Sequence, residues 1–280
     1  EDGSNREELL GLQSDESDIV FGVGFLFDVP MYNVSTEVPE VNYGIVDGFI
    51  DIDFDGTSDA PDNVAMLLFA EEQGSFLVGA AAALKTETDR IGFIGGVNIP
   101  LIQAFEAGFR AGVQAVNPDI VIDSQYVTEP PNFDGFNDPA SGKVIGQRMF
   151  EDGADIVYHA AGGTGSGLFQ AAKEYSEANN TKVWAIGVDS DQYLTAGEDV
   201  QEYILTSMLK RVDVAVYNTI EAQVNGTFQG GVQLFDLSVD GVGYSTSGGF
   251  VDDIAADLEA FKAQIVSGEI EVTRDPADYL

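Results

Sequence analysis

The stretch "YHAAGGTGSGLFQAA", residues 158–172, decides the fold. An apolar run precedes it, its middle is rich in glycine, and apolar residues at helical spacing follow it. This succession of strand, glycine turn and helix is typical of the units that build parallel sheets. A glycine turn there also lets a ligand approach backbone N–H groups at the start of a helix. That ligand can carry a phosphate or be a neutral polar molecule.

Apolar strands and helices alternate along the rest of the chain. Strands are predicted at "DIVFGVGFLF" (18–27), "RIGFIGG" (90–96), "DIVIDSQYV" (119–127), "KVWAIGVDSD" (182–191) and "YILTSMLK" (203–210). A hairpin or long strand is predicted at "GGVQLFDLSVDGVGYS" (230–245), and "TEPPNFDGFNDPASG" (128–142) is predicted to connect two lobes because Pro, Gly and Asp dominate it. The pattern predicts an α/β protein with two doubly wound, parallel-sheet lobes.

The charge balance of the chain limits which partners and environments suit this protein. The chain has 12 Lys and Arg against 48 Asp and Glu, a formal net charge of -36. Such a field makes nucleic acid and anionic membrane surfaces poor partners. The acids are dispersed along the chain, which favours a protein adapted to high salt, although an ordinary acidic protein is the alternative. Cysteine is absent, so the chain offers no disulfide, thiolate metal site or Cys nucleophile.

Two strand ends carry the candidate binding chemistry. Asp189 and Asp191, in "GVDSDQ" (187–192), end an apolar strand, where open α/β sheets place their ligands. Carboxylates there can bind Mg²⁺, act as acid and base, or accept hydrogen bonds from sugar hydroxyls. No further carboxylate or His lies nearby at ligand spacing, so no metal is predicted. Lys210 ends another strand and can donate hydrogen bonds, whereas Arg211 begins a helix and is predicted to pair with surface acids.

The glycine spacing argues against a nucleotide-phosphate loop. Gly163 and Gly165 fit the first two positions of G-x-G-x-x-G, but the third falls on Leu168, and no Lys completes a Walker loop. The sole histidine, His159, is predicted to be structural. These observations weaken the case for an NAD-dependent or nucleoside-acting enzyme, which we keep as the alternative function. A sensory or structural protein of the cell envelope is a third possible function.

Several segments together resemble the basic membrane protein (BMP) family of solute-binding lipoproteins, whose best-described members look like purine-nucleoside receptors of ABC importers. The similar segments include "IVFGVGF", "EEQGSFLVGAAAALKT", "FNDPASGK", "GADIVYHAAGGTGSGLFQAAKE", "WAIGVDSDQ" and "ILTSMLKRVDVAVYNTI". The resemblance implies the periplasmic-binding-protein type I fold, with two lobes joined by a multi-strand hinge. The implied division is residues 1–122 plus about 211–232, and 123–210 plus about 233–280. The resemblance also leads us to expect that the family's first strand–helix unit is either missing from this sequence or has diverged past recognition.

The resemblance also implies a site. Asp189 and Lys210 would hold ribose hydroxyls, an aromatic at or near Tyr158 would stack on the base, and the glycine turn would line the cleft. Asn98 stands where the family often has Asp. The full set predicted to bind ligand is Asp189, Lys210, Tyr158, Gly162, Gly163, Gly165, Phe25, Asn98 and Glu71. The implied protein is a non-enzymatic receptor without cofactor or metal. It would bind a purine nucleoside and deliver it to an ABC permease. Its place would be the outer face of the cell membrane, held by a lipid anchor that lies outside this chain.

Overall fold

The computed structural model describes residues 5–280. Helices and strands alternate through them, in agreement with the α/β pattern of the sequence. In chain order the elements are α1 (Arg6–Ser14), β1 (Ile19–Val23), α2 (Asp28–Glu37), β2 (Asn42–Val46), β3 (Val64–Phe69), α3 (Glu71–Lys85), β4 (Arg90–Val97), α4 (Pro100–Val116), β5 (Val121–Thr128), α5 (Pro139–Glu151), β6 (Ile156–Ala160), α6 (Gly165–Asn179), β7 (Trp184–Asp189), α7 (Gln192–Thr195), β8 (Ile204–Lys210), α8 (Val212–Val224), β9 (Gly231–Phe235), β10 (Val242–Tyr244) and α9 (Ala255–Val266).

The chain divides into two compact units. The first contains the described residues up to Ala70 together with Arg211–Gly241, and the second contains Glu71–Lys210 and Val242–Leu280. The first boundary thus lies at 70/71 rather than at the expected 122/123, and the last at 241/242 rather than near 232. The reason is sheet pairing. Because β4 pairs with both β5 and β6, the elements from α3 through β5 belong to the second unit. Residues 1–4, expected in the first lobe, lie outside the described residues.

The first unit is built on a four-stranded parallel sheet, in the order β1-β2-β3-β9. Strand β2 is buried along most of its length, as expected for a parallel strand covered on both faces. Met31, Tyr43, Ile45 and Met66 are fully buried and form the centre of its core. The Tyr43 hydroxyl reaches Ser14 Oγ at 2.8 Å, so the polar tip of this buried ring is satisfied.

The second unit carries a six-stranded sheet in the order β10-β8-β7-β6-β4-β5, parallel except for β10. Helices α3 and α4 pack against each other unusually closely. A Cβ at Gly108 would lie 2.0 Å from Glu72 O, and one at Gly112 would lie 2.0 Å from Phe76 O. Only glycine therefore permits this helix–helix contact, which explains why small residues interrupt both helices.

The segment predicted as a hairpin or long strand, residues 230–245, is neither. β9 pairs in parallel with β3 in the first unit, whereas β10 pairs antiparallel with β8 in the second. A short 3₁₀ turn, Leu237–Val239, separates the two strands. Because the boundary between the units falls between them, each strand completes a different sheet. The 128–142 segment likewise lies within the second unit, where it connects β5 to α5.

Candidate functional site

Four neighbouring strands of the second unit end at one edge of its sheet, and most of the predicted binding residues follow those ends. Asn98 follows β4, the glycine turn follows β6, Asp189 ends β7 and Lys210 ends β8. These strands are adjacent and parallel in the order β8-β7-β6-β4. Residues far apart in sequence are thereby brought to the carboxyl edge, where open α/β sheets bind ligands.

Lys210 and Asp189 form the charged pair of this edge. Lys210 Nζ lies 3.6 Å from Asp189 Oδ1; the lysine side chain is only 6% exposed, whereas the aspartate side chain is 50% exposed. The ammonium also lies 5.8 Å from the centroid of the Phe105 ring, in cation–π range. A buried ammonium beside a carboxylate open to solvent offers a ligand both donors and acceptors. A ligand hydroxyl can donate a hydrogen bond to the carboxylate and accept one from the ammonium.

The glycine turn divides into two parts. Gly162 and Gly163 are exposed, and Gly162 has φ of 54°, which favours glycine. Gly165 is buried instead, and it packs so closely against His159 that a Cβ on it would lie 2.0 Å from Cε1 of the ring. The first part is therefore open to a ligand, and the second is required by packing against the histidine ring.

Asn98 belongs to a small polar group at the end of β4. Its Nδ2 donates to Glu129 Oε1 at 3.1 Å, and its Oδ1 accepts from Gln103 Nε2 at 2.9 Å. Asn98 and Gln103 are half-buried, whereas Glu129 is exposed. The group presents amide and carboxylate functions, the types that recognise the edge of a heterocyclic base by hydrogen bonds.

Tyr158 lies in the core of the second unit. It is completely buried, its ring packs against Phe93 and Phe109 at centroid distances of 5.6 Å and 5.2 Å, and its hydroxyl bonds with Ser75 Oγ at 3.1 Å. Burial raises its pKa well above the ordinary value. This corrects the expectation for Tyr158 itself, because no face of its ring is open to a ligand in this conformation.

Phe136 is the aromatic residue that sequence reasoning missed. It is half-buried, and a Cβ on Gly96 would lie 2.5 Å from its ring atom Cδ1. A Cβ on Gly162 would lie 3.0 Å from its carbonyl oxygen. Phe136 thus sits over the ends of β4 and β6, beside the exposed part of the glycine turn. The sequence signal for Phe136 is its place at the start of "FNDPASGK", but the Pro and Gly content of this segment predicts a linker instead.

Glu71 and Phe25 do not follow any of these four strand ends: Glu71 comes after β3 and Phe25 after β1. Glu71 begins α3, is 1% exposed and accepts from Arg274 Nη2 at 2.8 Å, while Arg274 also donates to Glu72. A carboxylate so covered and paired is a structural anchor for the C-terminal segment. Phe25 belongs to the first unit, where it begins a 3₁₀ turn after β1 and is half-buried.

His159 is enclosed in the core of the second unit. It is fully buried, and burial lowers its pKa to about 4, so the ring is neutral at pH 7. Its Nε2 lies 3.0 Å from Gln192 Oε1. This agrees with the structural role that the sequence predicts.

Among residues 5–280, one group of side chains that could hold a cation lies in the first unit. Carboxylate oxygens of Asp51, Asp53 and Asp59 lie within 4.8 Å of one another. Hard divalent cations prefer such oxygen ligands. The same oxygens accept loop hydrogen bonds, for example Asp51 Oδ2 from Gly56 N at 2.9 Å and Asp59 Oδ2 from Ile52 N at 2.7 Å, and exposed acids are common in a chain of charge -36.

A concave region of about 430 Å³ in the second unit lies at the opposite edge of the sheet. Its lining includes Thr88, Asp155 and Trp184, which lie at the amino ends of β4, β6 and β7. Asp155 accepts hydrogen bonds there from Thr86 Oγ1 at 2.6 Å and from Glu87 N at 2.6 Å. Its carboxylate thus ties the chain together, and we place the candidate site at the carboxyl edge, where the charged pair and the exposed glycines lie.

Comparison with known proteins identifies the class. Residues 1–275 match the model of the Bmp family, described as ABC transporter substrate-binding protein PnrA-like. A CD4+ T-cell-stimulating antigen of Listeria monocytogenes is 38% identical over 92% of this chain and 71% of its own length. The ABC transporter nucleoside-binding protein BmpA of Lactococcus lactis is 34% identical over 91% of this chain and 70% of its own.

The solved structures agree with this result. A crystal structure of an ABC transporter solute-binding protein from Aeropyrum pernix is 29% identical, with a TM-score of 0.79 over 100% of this chain and 84% of that one. The expected periplasmic-binding-protein type I fold and the expected non-enzymatic class are confirmed by these relatives. The chain belongs to the Bmp family of PnrA-like ABC transporter substrate-binding proteins.

Proposed function

We propose that this protein binds a purine nucleoside and delivers it to an ABC permease. The observation that carries the proposal is the pair formed by Lys210 and Asp189 at the carboxyl edge of the second unit, with Nζ and Oδ1 3.6 Å apart. A vicinal diol has two hydroxyls, which can donate to the carboxylate while accepting from the ammonium. The ribose of a nucleoside supplies this diol, and the name of the Lactococcus relative supports a nucleoside.

The base would be held by groups of the same edge. Phe136 offers a half-buried ring for stacking, worth on the order of 1–3 kcal/mol per base by analogy with other base–aromatic contacts. Asn98 and its partners Gln103 and Glu129 offer amide and carboxylate groups to a purine edge. These groups replace Tyr158 in the proposed set. Gly162 and Gly163 would let the ligand approach the backbone.

The proposal includes capture of the ligand between the two units, with Phe25 as the contribution of the first. Support comes from the fold shared with solute-binding proteins. Ligand would then shift an existing conformational equilibrium toward a closed state.

The proposed location is the outer face of the cell membrane, with a lipid anchor and, in view of the net charge of -36, a saline environment. Within residues 5–280, none of the helices has the length and apolar character that crossing a bilayer requires. Support for the location comes from family membership and from a relative named basic membrane protein A in Borreliella burgdorferi, 30% identical over 97% of this chain.

The test compares nucleosides with their 5′-monophosphates. Calorimetric titration should be run in molar KCl, so that long-range repulsion is screened. We expect inosine, guanosine or adenosine to bind at least ~100-fold more tightly than the monophosphate, about 2.7 kcal/mol, because Asp189 and its acidic surroundings reject a phosphate. The variant Asp189→Asn should lose much of the nucleoside affinity. Tighter binding of the monophosphate or of NAD would overturn the proposal.

A further inference from the structure

The strands β6 and β7 part before β7 ends. Their parallel ladder runs from Ile156↔Trp184 only as far as Tyr158↔Ile186. On its other side β7 stays paired with β8 up to Asp189↔Leu209. The last residues of β7 therefore lack a strand partner on the β6 side. A buried backbone N–H in such a gap needs another acceptor.

Gln192 supplies that acceptor. Its side-chain Oε1 accepts from the backbone N–H of Val188 at 2.8 Å, and His159 Nε2 lies 3.0 Å from the same oxygen. The backbone N–H of Gln192 donates to Ser207 Oγ of β8 at 3.1 Å. The side chain of Gln192 thus links β6 and β7 where the sheet opens, and its backbone N–H adds a bond to β8. Because Oε1 is an acceptor, Nε2 of His159 must carry the proton.

The surroundings leave this arrangement little freedom. A Cβ on Gly187 would lie 2.6 Å from both Gln192 Oε1 and Ser207 Oγ. The histidine ring lies against Gly165 and makes an edge contact with Phe169, with centroids 5.3 Å apart. Within the described part of the chain, His159 Nδ1 is buried without a hydrogen-bond partner. The neutral Nε2–H form fits this site, because a proton on Nδ1 would have no acceptor.

Asp189 needs such support. It has φ of 64°, a left-handed conformation that costs a residue other than glycine on the order of 1–3 kcal/mol. Its neighbours are held on both sides: Val188 N–H bonds Gln192, and Ser190 N–H donates back to Val188 O at 2.8 Å. Strained conformations persist only where the surroundings over-determine them, and they are concentrated at functional sites.

We propose that Gln192 and His159 are positioning residues for the carboxylate of Asp189. In this arrangement His159 donates to Gln192 Oε1, Gln192 holds the backbone of Val188, and Val188 sets the turn that directs Asp189 toward Lys210. Neither Gln192 nor His159 needs to touch the ligand. The inference rests on the proposed function in one respect: that Asp189 binds the ligand.

The test is a double-mutant cycle on nucleoside affinity. Gln192→Leu keeps the bulk of the side chain and removes the acceptor, and Gln170→Leu on α6 is the matched control. We expect Gln192→Leu to weaken inosine binding at least ~10-fold and the control to leave it within about twofold. In the Asp189→Asn background, Gln192→Leu should add less than about a threefold further loss, because residues acting through one another are not additive.

An equal loss from Gln192→Leu in both backgrounds, or no loss at all, would overturn the inference. His159→Leu leaves the Val188 bond in place and removes the second donor to Gln192 Oε1. It should weaken binding in the same direction by about threefold, with the same dependence on Asp189. It serves as the second variant if Gln192→Leu does not fold.

A ligand-free measurement separates this inference from the proposed function. The side-chain ¹⁵N spectrum of the wild type should show His159 protonated on Nε2, and the Val188 amide should exchange slowly with solvent and become at least ~10-fold faster in Gln192→Leu. If these results hold while the wild type binds no nucleoside, the proposed function fails and the positioning arrangement stands. A proton on Nδ1, or unchanged Val188 exchange, contradicts the arrangement whatever the ligand.

Discussion

Lys210 and Asp189 end adjacent strands, and their side chains meet with Nζ 3.6 Å from Oδ1 although they are 21 residues apart in sequence. The lysine is buried and the aspartate is half exposed, so the pair is anchored on one side and open on the other. Arg211, the next residue, pairs instead with exposed Asp213 at 2.9 Å. Two consecutive cations thus have different environments, which makes each the natural control for the other.

Lys210→Met should weaken nucleoside binding by about 2–4 kcal/mol, because it removes the donors and leaves Asp189 without its cation. Arg211→Met should cost less than about 1 kcal/mol, since its partner is exposed. Isothermal calorimetry of both variants in molar KCl measures the difference. Equal losses for the two variants would show that the wrong cation has been assigned.

Phe136→Ala should lower nucleoside affinity by about 1–3 kcal/mol, the range found for removing one aromatic stacking surface. Tyr158→Phe should leave the affinity unchanged and lower the free energy of unfolding by about 1 kcal/mol, because it removes only the hydrogen bond to Ser75. Titration and urea unfolding of both variants test this contrast. Loss of affinity in Tyr158→Phe with none in Phe136→Ala would return the stacking role to Tyr158.

The melting temperature should rise with salt. A net charge of -36 repels itself in the compact state, and the screening length falls from about 10 Å at 0.1 M to about 3 Å at 1 M. Thermal unfolding followed by circular dichroism across that range of KCl gives the measurement, with equal concentrations of a neutral osmolyte as the control. A melting temperature that is flat in KCl would argue for an ordinary acidic protein.

Asp28 should make stability depend on pH. Burial raises its pKa to about 7, and within the described chain its Oδ1 has no hydrogen-bond partner. Between pH 4 and 7 the folded state then holds a proton that the unfolded state has released, so this contribution to stability falls as pH rises. The free energy of unfolding of Asp28→Asn minus that of the wild type should therefore increase between pH 5 and pH 8. The increase should be on the order of 1–2 kcal/mol after solvent screening.

The comparison between variant and wild type matters because His159 acts in the opposite direction. Its pKa is lowered to about 4, so its contribution is complete above about pH 6.5 and is lost as pH falls toward 4. Urea unfolding at several pH values isolates the Asp28 effect as the difference between the two proteins. A difference that does not change with pH would mean that Asp28 is already ionised at pH 5.

Gly165→Ala should destabilise the second unit by about 1–3 kcal/mol or more, because the new methyl group would press on the face of His159. Gly11→Ala is the control, since a Cβ there meets nothing within 4 Å and the residue lies inside a helix, where alanine is favoured by up to about 1 kcal/mol. Unfolding curves of both variants compare them. An unaffected Gly165→Ala would show that the ring can move aside.

The sequence by itself determined the alternation of strands and helices, and with it the α/β class and the edge of the second sheet where Asp189 and Lys210 meet. Both follow from local patterns: apolar runs mark parallel strands, and the ends of neighbouring parallel strands lie at one edge. The family resemblance extended this to the fold type, which the relatives confirm. The glycine turn and the two strand-end charges were predictable for the same reason.

Only the tertiary structure decided which candidates are open to a ligand. Tyr158 lies in an apolar run and Phe136 in a Pro-, Gly- and Asp-rich segment, so the sequence favoured Tyr158 as the ligand contact. Only packing shows that Phe93 and Phe109 cover Tyr158, whereas Phe136 is half-buried. The carboxylate of Glu71 forms an ion pair with Arg274, which lies 203 positions later in the chain. The strands β9 and β10 enter different sheets because distant strands, β3 and β8, provide their partners. Local periodicity records the conformation of a segment, whereas exposure, ion pairing and strand partners depend on contacts between segments that the sequence keeps apart.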